Sequence, residues 1–188
     1  DRRNGNTFIR PCRCCHSGRL QTRPASRTTR SGAQACIGFL HQIGKDRGGK
    51  GRHRVTPSHA YLPGLTPRHP DGCFDAIRQT VDRGMTVQEL AATPAFNLGK
   101  TWIETGFYWE AHEVLEPIWL ILPDASPDRY FIQSMIQTAN ALLKQRMGRG
   151  AAARRIVGLA RAALVSAHPV KSWGIDSAWV ENQLAKVQ

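Results

Sequence analysis

Long apolar runs are missing from this 188-residue chain. A bilayer-spanning helix needs roughly 20 consecutive apolar residues, so no such helix is expected and no membrane partner is predicted. Cysteine is nearly absent beyond residue 55, where Cys73 stands alone. A disulfide framework therefore cannot hold that part together, and a reducing, cytoplasmic setting is the natural expectation. Period-two alternation does not appear after residue 56, which leaves little room for sheet. The chain opens at Asp1 with no initiator Met and no basic–apolar–small leader pattern, and it reads as a fragment.

Acid is scarce in one third of the chain. Residues 1–55 hold 13 Lys/Arg against 2 Asp/Glu, whereas residues 56–188 hold 13 against 12. The formal charge of +12 therefore resides almost wholly in the first segment, and the remainder is close to neutral. That segment is rich in Arg, Gly, Ser and Thr, lacks any period, and cannot bury enough apolar surface to offset its chain entropy. It is expected to be a disordered basic segment or a mis-started, out-of-frame extension. Nucleic-acid binding through Arg2 to Arg54 follows only if the segment is genuine. Cys12, Cys14, Cys15 and His16 are too crowded for ordinary zinc-ligand spacing, and only Cys36 and His41 could complete a set.

Residues 56–188 read as one all-α helical bundle with short connections. Three prolines make residues 62–70 a stiff, non-helical lead-in. Arg68 and His69 on it suit either an anion site or a tie to a neighbouring carboxylate. Asp71 is then placed to cap a helix carrying Phe74, Ile77 and Val81, with Gly84 to end it. Thr86 and Glu89 form a capping-box pattern, and Thr93 before Pro94 starts the next helix, which should stop near Gly106. A second helix at residues 107–122 should fold back on it. Ser126, Pro127 and Asp128 open a helix of about 20 residues to Gly148. Another helix follows Gly150 with Arg154, Arg155 and Arg161 outward and breaks at His168–Pro169. Asp176 caps a last helix bearing Trp179, Val180, Leu184 and Val187.

The stretch FYWEAHEVLEPIWLIL, residues 107–122, is the densest in both anchors and chemistry, and it is expected to be the central helix. On a wheel of about 100° per residue, Phe107, Ala111, Val114, Leu115 and Ile118 form the core stripe. Tyr108 and Trp119 flank that stripe. His112, Glu116 and Trp109 follow on its edge, with Glu113 beyond them. Glu110 points away and is expected to be solvated. Pro117 removes its own amide and should kink the helix, freeing the Glu113 carbonyl. The helix after Ser126 offers Gln133, Gln137, Asn140 and Lys144 as a polar ladder, and the His112/Glu113/Glu116 edge is its natural partner.

Three readings fit. The leading one is a binding or interaction module with a small-molecule or protein partner, a homodimer contact being one form of it. Its binding residues would be Tyr108, Trp109, His112, Glu116, Trp119, Gln133, Gln137, Asn140 and Lys144. The alternative is a small metal-dependent or hydrolase-like enzyme using His112, Glu113 and Glu116. No cofactor is predicted. A divalent metal would enter through His112 and Glu116, although the Glu-x-x-His spacing of carboxylate-bridged bundle sites fails because Trp109 occupies the position of the Glu. The third reading is the basic segment on nucleic acid.

WEAHEVLEPIW (residues 109–119) followed by FIQSMIQTANALLKQRMG (residues 131–148) resembles the domain-of-unknown-function 309 family of small bacterial and archaeal proteins. YLPGLTPRHPDGCFD (residues 61–75) resembles that family's proteobacterial branch. The resemblance implies a compact helical domain with its motif on a central helix, and it implies no activity. The signature falls on Trp109, His112, Glu113, Glu116 and Trp119, then on Gln133, Gln137, Ala139, Asn140 and Gly148. Residues 1–55 have no counterpart in it.

Overall fold

The computed structural model describes residues 56–167 and 172–188. The expectations for the basic segment, for the cysteine cluster Cys12, Cys14, Cys15 and Cys36 with His16 and His41, and for the break at His168–Pro169 lie outside the described residues. Among those residues the chain is all-α, with seven helices and no strand: α1 (Asp75–Arg78), α2 (Val87–Ala92), α3 (Pro94–Thr105), α4 (Tyr108–Ile121), α5 (Pro127–Arg146), α6 (Gly150–Ser166) and α7 (Ser177–Leu184). None is long and apolar enough to cross a membrane.

Caps set most of the boundaries. The Thr86 hydroxyl accepts from the Glu89 amide, and the Glu89 carboxylate takes the Thr86 amide in return. This completes a capping box. Thr93 caps α3 ahead of Pro94, Ser126 caps α5 ahead of Pro127, and Asp176 caps α7. Gly106 ends α3 in the left-handed region at φ 92°, a conformation that costs glycine little.

The first helix departs from expectation. Asp71 does not cap it. Gly72 adopts φ 77°, which turns the chain before any helix can begin, and α1 is a single turn starting at Asp75 with no side-chain cap. It stops at Arg78, short of both Val81 and Gly84.

Packing shares the centre between α4 and α5: α4 lies against α1, α3 and α5, and α5 lies against α4, α6 and α7. Its apolar residues Ile132, Met135, Ala139 and Leu142 are buried, and so are Ser134 and Thr138. Those two hydroxyls bond back to the carbonyls of Phe131 and Ser134, so neither is buried without a partner. The α3–α4 pair approaches closely at Gly99, where an added Cβ would lie 2.6 Å from Leu115 Cγ. The segment after α6 is pinned to the start of α5 by Trp173 Nε1 donating to Asp128 at 2.8 Å. Arg161 holds α7 to α6 through a forked contact with Glu181.

Candidate functional site

The core stripe of α4 buries Ala111, Val114, Leu115 and Ile118 completely. That fixes the rotation of the helix and brings a row of polar side chains to its edge. His112, Glu113 and Glu116 are all half-buried there. His112 Nδ1 meets Asn140 Oδ1 of α5 at 3.1 Å. An amide oxygen only accepts, so Nδ1 carries the proton, and in the neutral ring Nε2 presents a lone pair. Glu113 Oε2 lies 3.3 Å from Arg78 of α1. Burial pushes the Glu113 carboxyl above its ordinary value; His112, Arg78 and Arg68 oppose that shift, and Glu116 adds to it.

The other residues named from the sequence lie on α4 and α5. Trp109 is buried, and Tyr108 and Trp119 are half-buried against the core. The Trp119 ring carries the Arg129 guanidinium 4.3 Å above its centroid. Its own Nε1 is buried with no acceptor. Gln133, Gln137 and Lys144 are half-buried on α5. Among the described residues the structure joins His112 to Asn140 and Glu113 to Arg78. It gives Glu116, Gln133, Gln137 and Lys144 no side-chain hydrogen bond or ion pair. Among the described residues it also gathers no group of three or more His, Cys, Asp or Glu able to hold a metal ion. The pair His112 and Glu116 would need further ligands from outside such a group.

Glu110 is the main correction. It is not solvated: its side chain is fully buried. Oε1 accepts from His69 Nε2 at 2.8 Å and from the Tyr61 amide at 2.6 Å, while Oε2 has no partner. The wheel was right that Glu110 turns from the helical core. What it does not include is the lead-in, residues 62–70, and residues 56–61 before it, which together cross that face as a strap. His69 stacks on His59 at 4.5 Å and meets Phe74 edge-on, and Tyr61 meets Trp109 edge-on. Thr66 and His59 tie the strap to itself through bonds to Leu62, Ala60 and Pro67. Sequence reasoning missed Glu110, Tyr61 and Arg78. The one available signal was the density of proline, histidine and tyrosine in a segment that cannot be helical, because such a segment must lie on something.

Residues 96–156 match the family model described as domain of unknown function (DUF309), and the chain resembles that family over this span. The strap and α1 precede the matched residues. No curated protein and no solved structure matches the chain.

Proposed function

We propose that this chain is a small-molecule binding module whose site is the half-buried seam between α4 and α5. The observation that carries the reading is unused hydrogen-bonding capacity at one edge. Among the described residues Trp119 Nε1 is buried without an acceptor, and Glu116, three residues earlier, has no donor. A network kept only to fix helix register would have satisfied its buried polar groups. Trp119 Nε1 and Glu116, on the same helix as His112, fit a polar ligand that brings both a donor and an acceptor.

The test is a screen of small polar compounds against isotope-labelled full chain, following the Trp119 indole N–H and the His112 ring by NMR. Compounds that move both signals saturably, and fail to do so with Glu116→Gln, support the reading. The seam reverts to a structural network if no compound moves them and a crystal structure shows protein-held water on both groups.

The hydrolase-like alternative draws on a different observation. His112 keeps an Nε2 lone pair, and Glu113, next to it in the chain, is a carboxyl that burial favours in its neutral form; the two residue types suit acid–base chemistry. Ester or phosphoester turnover abolished by both His112→Ala and Glu113→Gln would favour it over simple binding. Elemental analysis of chelator-free protein would decide the metal-dependent form, since stoichiometric metal lost on His112→Ala is its requirement.

A further inference from the structure

We propose that the strap and α1 add an anion-binding edge to the seam, with Arg68 and Arg78 taking the carboxylate or phosphate group of the ligand. The inference rests on the binding reading above and names the charge class of what binds.

Arg78 Nη1 reaches Glu113 at 3.3 Å, which is long for a charge-assisted hydrogen bond of about 2.7–2.9 Å. Its remaining donors have no partner among the described residues. Arg68 is exposed and makes no hydrogen bond or ion pair there. Its guanidinium sits 5.9 Å from the Trp109 ring centroid. Two guanidiniums on separate elements thus meet α4 one turn apart, Arg68 over Trp109 and Arg78 at Glu113. A planar or tetrahedral oxyanion suits their forked donors.

The strap presents Arg68 from a fixed base. The next residue, His69, is held on the fully buried Glu110, and the Tyr61 amide bonds the same oxygen. A guanidinium on an anchored backbone loses less freedom on binding than one on a loose loop. Glu110 and His69 therefore act as positioning residues. The matched family span begins at Phe96, and both cations precede it.

The experiment titrates inorganic phosphate and, separately, acetate into the full chain, reading the Trp109 indole resonance. That local probe separates this edge from the basic residues elsewhere. A saturable shift with either anion, weakened about tenfold or more in Arg68→Gln and in Arg78→Gln, is expected. Arg155→Gln, exposed on α6, should leave the titration unchanged. A response to phosphate alone points to a phosphate-bearing ligand, and a response to both admits a carboxylate. No shift with either anion, or equal affinity in Arg68→Gln, overturns the proposal. If polar compounds still move Trp119 and His112 while Trp109 ignores both anions, this inference fails and the binding reading stands. If nothing moves any of these signals, both fail.

Discussion

Two faces of α4 treat the same side chain in opposite ways. Glu110 is completely enclosed, with one oxygen bonded to a buried histidine and a backbone amide. Glu116, less than two turns along, is half-buried and bonded to nothing among the described residues. The difference does not lie in the helix, since both positions fall outside its core stripe. It lies in what covers each face: the strap over one, and no described side-chain partner for the other. A carboxylate taken out of water must be paired or it destabilises the fold. The covered face obeys that rule on one oxygen, whereas the half-buried Glu116 has no such partner among the described residues, and the proposed binding role rests on that contrast.

Breaking the covered face should have the largest effect. Glu110→Ala leaves His69 buried without its carboxylate and removes the acceptor of the Tyr61 amide. Losing one partner of a buried pair costs about 3–5 kcal/mol, so urea denaturation should show a large drop in midpoint. The double variant with His69→Ala should be less destabilised than the two single changes added together, because no uncompensated group then remains. Strict additivity would mean that the pair does not act as a unit.

The seam offers a smaller loss. His112→Ala removes one part-buried hydrogen bond to Asn140, worth about 1 kcal/mol. A loss approaching that of Glu110→Ala would place His112 with the structural face, and would weaken the distinction drawn between the two.

The contrast also marks how far the sequence could be read. Helix starts were legible because Thr86, Thr93, Ser126 and Asp176 act through their own next turn, and capping is a local interaction. The buried stripe of α4 was legible for the same reason, being a period within one element. The His112–Asn140 contact could be anticipated from two facing polar rows. Glu110 could not, because His69 and Tyr61 come from 41 and 49 residues away on a segment with no period to align. Residues 71–74 failed differently: proline and aspartate suggested a helix start, and the positive φ of Gly72 overrode them.

Glu113 stands between the two faces, and pH should expose it. Burial raises its carboxyl above the ordinary value. The folded state therefore keeps its proton to higher pH than the unfolded chain does. Stability from this group falls as pH rises from the ordinary glutamate value through the raised one, and the penalty is absent at lower pH. Glu113→Gln cannot ionise. Its stability relative to the natural chain should therefore improve from about pH 4 to about pH 7, read as the difference in denaturation midpoint. A difference independent of pH would mean that Arg78 and His112 fully offset the burial.

The smallest effect is expected where the open edge is most open. Glu116→Gln keeps the shape of the side chain, breaks no hydrogen bond or ion pair among the described residues, and removes a like charge beside Glu113. Stability should change by no more than about 0.5 kcal/mol, with a small gain more natural than a loss. The same substitution should abolish the response of Trp119 and His112 to any compound that binds the seam. Near-silence in folding combined with loss of binding is what a functional carboxylate gives and a structural one does not. If Glu116→Gln destabilises the domain by several kcal/mol, the group has a partner that matters to the fold, and the two faces of α4 differ only in which residues satisfy them.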